Sequence, residues 1–149
     1  MKTEEMRIPP HSIEAEQSVL GGLLLDNKSW PVVEERVSDE DFYRRSHQTL
    51  FSAIRSLLQQ GHPADVLTVA ERLKIENKID EIGGEVYLFE LAKNTPSAFN
   101  VAAYADIVRE RSVLRQMISV SNEIAGDAFN PPSGQSIVEL LDAAERKMF

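Results

Sequence analysis

Between Asn100 and Pro131 no proline interrupts the chain. Asn100 is a natural N-cap, so Val101–Ala128 reads as one helix about 40 Å long. That is longer than a small globular head requires. Ile107, Arg111, Leu114, Ile118, Ser121, Ala125 and Ala128 fall alternately four and three apart, the spacing of a coiled-coil seam that Arg111 and Ser121 weaken. The segment FNPPSGQ, Phe129–Gln135, must then stop the helix. Beyond it, Ser136-x-x-Glu139 is a strong capping box, and Ile137, Leu140, Leu141, Ala144 and Met148 form a second apolar stripe. Two stripes joined by a short break describe a helical hairpin. Met117, Ile118 and Ile124 on one helix, with Leu140, Leu141 and Met148 on the other, spread wider than one mutual seam. Such faces need packing to be stable. A second copy of the hairpin is the simplest cover, and folding back on the head is the alternative.

Ahead of the hairpin the period is helical throughout. Residues 1–11 end in Pro9–Pro10 and read as a flexible arm, residues 12–98 as a globular head, and 99–149 as the hairpin. Ser12 caps a first helix with Glu14 and Glu16 in its first turn, and Asp26–Asn27 end it. Ser29 is placed to cap a short helix with Pro31 in its first turn, and Ser38-x-x-Asp41 a further turn. Ser46–Gln60 is amphipathic through Leu50, Ile54, Leu57 and Leu58, with Gly61 as its left-handed stop. Thr68-x-x-Glu71 reads as a capping box, or the helix begins as early as Asp65. Ile82-Gly83-Gly84 is a turn before a helix over Glu85–Lys93. No useful length alternates with period two. The expectation is an all-α chain: about six short helices in a globular bundle, then a long hairpin.

At 149 residues the chain is about one domain, large enough to bury a core without metals or disulfides. It has no cysteine, which excludes disulfides and Cys-ligated zinc and fits a reducing cytosol. The N-terminus MKTEEMRIPP has no apolar stretch, so no signal peptide is expected. The longest near-apolar run, Val19–Leu25, is seven residues, against about 20 for a membrane span. Acidic residues outnumber basic ones 24 to 16, for a net charge of −8. Such a chain repels a phosphate backbone, and Arg109, Arg111 and Arg115 read as a solvated helix face.

Chemistry is hard to find. None of the seven glycines is followed by Lys, so the phosphate loop G-x-x-x-x-G-K-[ST] is absent. His11, His47 and His62 lie on separate segments without metal-ligand spacing, and no G-x-S-x-G elbow occurs. His47 is expected to be a hydrogen-bonded structural residue. Glu14/Glu16 and Asp39/Glu40/Asp41 are read as helix N-terminal charges, and most aromatic residues as core. Tyr87, after the glycine turn, is expected to expose its hydroxyl. No catalytic, cofactor-binding or metal-ligating residue is assigned. Phe149 falls in mid-helix, as expected of a piece cut from a longer chain.

Four segments at their spacings carry a resemblance: IEAEQSVLGGLLLD (Ile13–Asp26), DFYRRSHQTLF (Asp41–Phe51), GGEVYLFEL (Gly83–Leu91) and TPSAFNVAAYADIVRERSVLR (Thr95–Arg115). From Arg7 onward the chain resembles the N-terminal domain of DnaB-type bacterial replicative DNA helicases. The resemblance implies a cytoplasmic, non-catalytic collar of a hexameric, ATP-dependent 5′–3′ helicase. Hairpins would pair into dimers, and three dimers would build the collar. ATP and Mg would belong to a RecA-like motor domain beyond this chain, which would also make most of the DNA contact. The implied partners are the helicase-binding domain of primase, the helicase loader and other primosome proteins. The family's primase-contact surface maps here onto Tyr87, Ile118 and Ile124. Subunit-interface candidates are Ile107, Leu114, Ala125, Leu140, Leu141 and Met148. The competing class is a helical nucleic-acid-binding or other protein-interaction module unrelated to helicases.

Overall fold

The structure, a computed structural model, describes residues 7–148. Among them the regular elements are helical: α1 Ile13–Leu25, α2 Trp30–Glu34, α3 Arg45–Gln59, α4 Val66–Ile75, α5 Gly84–Asn94, α6 Val101–Phe129 and α7 Ile137–Met148, with three single-turn 3₁₀ segments between them. No strand occurs among the described residues. The expected arm over 1–11 lies, for residues 1–6, outside the described residues.

The chain divides into two compact units. The first, His11–Ser112, is a helical head around one apolar core. α1 supplies Val19, Leu20 and Leu23, all fully buried, and packs on α3 and α5. Phe42 and Phe51 meet at 4.9 Å between ring centroids, and Trp30 lies 5.6 Å from Phe51. Burying each such side chain contributes about 1.5–3 kcal/mol. At Gly21 the helices α1 and α5 approach so closely that an added Cβ would sit 2.7 Å from the Leu91 carbonyl oxygen and against Thr95.

Local signals set most boundaries. Ser12 Oγ accepts from the Ala15 N–H at 3.2 Å and starts α1. Gly61, at φ +79°, follows α3 in the left-handed region. Gly83, at φ +100°, separates the turn Asp80–Ile82 from α5. Of the two starts open for α4 the earlier is found, and one other cap differs from expectation. α4 starts at Asp65, whose carboxylate accepts the Thr68 N–H at 2.9 Å while Thr68 Oγ1 accepts the Asp65 N–H at 2.8 Å, so Thr68 is the third helical residue and Glu71 is not part of a box. Ser29 makes no capping bond; Asp26 takes that role one turn earlier, accepting the Lys28 N–H at 3.0 Å.

The head takes in the first three turns of α6, fourteen residues past the expected limit at 98. Val101, Ala105 and Val108 belong to its core. Buried Asp41 gathers the Ser38 N–H (2.8 Å), the Ser112 hydroxyl (2.7 Å) and the Arg109 guanidinium (2.9 Å). Arg36 adds an ion pair to Asp106 at 3.1 Å. Arg109 thus stays half exposed on the helix face, at 49%, while its guanidinium pairs with buried Asp41. Asp41 is a buried anchor and more than a helix-end charge.

The second unit holds residues 7–10 with residues 113–148. Arg115 donates to the Pro10 carbonyl at 2.8 Å. The distal half of α6 stops before Pro131–Pro132. The capping box on α7 is fully formed: the Ser136 N–H donates to Glu139 Oε1 at 2.9 Å, and the Glu139 N–H to Ser136 Oγ at 3.2 Å.

Candidate protein-docking surface

Within the second unit the half-buried positions trace one stripe on each helix. On α6, beyond half-buried Arg115, they are Val120, Ile124 and Asp127; on α7, Leu140, Ala143, Ala144 and Lys147. These mark the mutual seam. It is clasped at one end by the Lys147 ammonium, 2.6 Å from Asp127 and 3.0 Å from Glu123. Asp127 first and Glu123 second hold the Lys147 pKa above the usual lysine value. The Ser136 N–H and hydroxyl hold Glu139 below the usual glutamate range.

What the seam does not cover is apolar. Val113, Leu114, Met117 and Ile118 on α6, and Ile137, Val138, Leu141 and Met148 on α7, are all exposed. α7 has no buried residue. Val113, Met117, Val120 and Met148 line a groove of about 440 Å³. Apolar surface gathered this way marks an interaction site.

The candidate residues separate accordingly. Ile118 (47% exposed), Leu114, Ala125, Leu141 (61%) and Met148 (68%) present free surface. Ile124 and Leu140 are half-buried in the hairpin's own seam. Ile107 is not on the hairpin surface at all; it packs against the core of the head. The four-and-three spacing through Leu114, Ile118, Ser121 and Ala125 therefore lies on the outer face of α6, one step round from the seam carrying Val120 and Ile124. Val113 and Val138 were not singled out in the sequence, although Val113 stands four before Met117 and Val138 three before Leu141; their exposure reveals them.

Tyr87 departs most from expectation. Its hydroxyl is engaged inside the head, 2.6 Å from His47 Nε2 and 3.2 Å from Gln17 Nε2. The other His47 nitrogen, Nδ1, lies 2.7 Å from Glu16 Oε1, and Glu16 Oε2 accepts the Tyr43 N–H at 2.7 Å. Both His47 (0% exposed) and Glu16 (1%) are buried. The set is satisfied when Nδ1 donates to Glu16, Nε2 accepts from Tyr87, and the Tyr87 oxygen accepts from Gln17. His47 is thus the structural residue expected of it, and Glu16 is a buried anchor rather than an exposed helix-end charge. Phe42 and Phe51 are core, whereas Phe89 and Phe99 are exposed.

Among the described residues no group of three or more His, Cys, Asp or Glu is placed to hold a metal, and no helix is long and apolar enough to cross a membrane. A helical head and a helical hairpin with an uncovered apolar face define an all-α chain of two units. The family model of the DnaB-like helicase N-terminal domain matches residues 8–110, and the chain belongs to that family. It is 47% identical over 148 residues to the replicative DNA helicase DnaB of Haemophilus influenzae, covering 99% of this chain and 31% of that protein. The chain spans about a third of the length of the curated relatives it matches. The crystal structure of the N-terminal domain of DnaB helicase from Mycobacterium tuberculosis superposes with a TM-score of 0.91 at 37% identity, covering 95% of this chain and 98% of that one. The N-terminal domain of DnaB helicase from Helicobacter pylori, described together with its interactions with primase, shares the fold at a TM-score of 0.68 and 22% identity, over 78% of this chain and 90% of that one.

Proposed function

We propose that this chain is the non-catalytic collar of a hexameric replicative helicase, pairing through its hairpin and docking the helicase-binding domain of primase. The observation that carries the reading is α7, a well-capped amphipathic helix with no residue buried in its own chain. In this reading Leu114, Ala125, Leu141 and Met148 face a second copy, and Ile118 faces primase beside the half-buried Ile124 and Tyr87. Dimers assemble in threes above a RecA-like motor that binds ATP and Mg and engages DNA in the cytoplasm, where loader and primosome proteins act on it. Family membership supports this reading, as does the primase interaction described for the Helicobacter pylori relative.

Light scattering on the eluting 149-residue chain tests the pairing. Leu141→Asp places a charge in the proposed seam and is expected to convert dimer to monomer at unchanged helical content. A dimer that persists overturns the assignment. Calorimetric titration with the primase domain tests the docking: Ile118→Asp should weaken binding by at least tenfold, as loss of an interface anchor does. Equal affinity removes Ile118 from the contact.

A further inference from the structure

A second surface, on the head, has the opposite chemistry. The solvent side of α3 and the turn after α4 enclose a cleft of about 580 Å³. That is within the usual range for ligand clefts. Its lining is polar: Thr49, Ser52, Gln48 and Gln59 from α3 offer both donors and acceptors. Three cations line it, Arg45, Arg55 and Lys78, against two carboxylates, Asp39 and Glu76. Arg55 is spent on Asp39 at 2.8 Å. Arg72 stands at the edge, donating to Ser56 and Gln60 at 2.7 and 2.9 Å. Arg45 and Lys78 are exposed and form no ion pair among the described residues. On a chain of net charge −8, this recess thus has one more cation than carboxylates in its lining.

We propose that this cleft binds an acidic peptide segment of a partner protein, with Arg45 and Lys78 as the carboxylate contacts. Two features favour peptide over single-stranded nucleic acid. No aromatic side chain lines the cleft, so there is no platform on which a base would stack. The carboxylates of Asp39 and Glu76 also line it, and a DNA phosphodiester backbone, which only accepts hydrogen bonds, has no donor to offer them. A peptide has backbone N–H groups for those acceptors and carbonyls for the hydroxyl and amide donors. The inference concerns the head and is independent of the function proposed for the hairpin.

The test is fluorescence anisotropy of a labelled peptide of alternating glutamate and serine, titrated with the 149-residue chain at low salt. Saturable binding is expected. It should weaken by about tenfold in Arg45→Glu/Lys78→Glu, since two favourable charge contacts become repulsive. Lys28→Glu/Lys93→Glu, equal in charge change but remote from the cleft, should bind as the parent does. Circular dichroism checks that both pairs fold. Absence of saturable binding, or equal weakening by the remote pair, overturns the proposal. So does tighter binding of single-stranded oligothymidylate that depends on Arg45 and Lys78, which would make the cleft a nucleic-acid site.

Discussion

The head and the hairpin unit solve the same problem in opposite ways. Both are built from capped amphipathic helices. The head closes on itself: its core is apolar, and its buried polar groups Glu16, Asp41, His47 and Ser112 are held in hydrogen-bonded sets. The hairpin satisfies its backbone ends with a complete capping box, yet leaves most of its large apolar side chains in water. Local order in the hairpin is thus settled by short-range chemistry, while its burial is left to something else. The contrast teaches that well-formed helices do not imply a finished core; which side chains remain exposed distinguishes a self-sufficient fold from a docking element.

The largest expected effect separates the two units directly. Phe51→Ala removes a fully buried ring and should cost about 3–5 kcal/mol in urea unfolding. Leu141→Ala, in the hairpin, should change the stability of the dilute monomer by no more than about 0.5 kcal/mol. Comparable losses at both positions would mean that Leu141 is covered within its own chain.

A middle-sized effect probes how the head satisfies its polar interior. Tyr87→Phe deletes the hydroxyl that meets His47 Nε2 and Gln17. One buried acceptor is left without a partner, which should cost about 1–3 kcal/mol at unchanged helical content. A loss below about 0.5 kcal/mol would show that water replaces the hydroxyl and that the set is not closed. The same geometry makes Tyr87→Ala a poor probe of primase contact, because it would disturb the head and any surface on it together.

These outcomes bear on what was legible in the sequence. The helices, the glycine stops, Ser12, and the Ser136–Glu139 box depend on residues three or four apart, so they could be read directly. The set Glu16–His47–Tyr87 joins positions 31 and 40 apart in sequence. No periodicity carries that information, and Glu16 accordingly resembled an ordinary helix-end charge. The outer face of α6 was legible as a four-and-three stripe, but its direction was not. Ile118 and Ile124 lie six apart, and only packing decides which of them enters the seam. Ile107 sits on the same stripe yet serves the head, because α6 passes from one unit into the other partway along its length.

The smallest effect sharpens the comparison at the surface of the head. Arg55 donates to Asp39 at 2.8 Å, and this hydrogen bond is the main cause holding the Asp39 carboxyl below its ordinary value of 3.8. In the unfolded chain that value is restored. The pair therefore contributes its full stability above the ordinary value, and the contribution disappears as pH falls through the lower, folded value. The Asp39 side chain is 36% exposed, so solvent screens the pair and the contribution at neutral pH should be under about 0.5 kcal/mol. Asp39→Asn should therefore unfold slightly earlier than the parent at neutral pH, and the gap between their urea midpoints should narrow steadily on acidification. The Glu139 carboxylate is held low by its own helix cap, so Glu139→Gln should show the same narrowing in hydrogen exchange confined to α7. If acidification instead widened the gap for Asp39→Asn, the carboxyl would be held above its ordinary value in the fold. Its pairing with Arg55 would then not be the dominant interaction at that position.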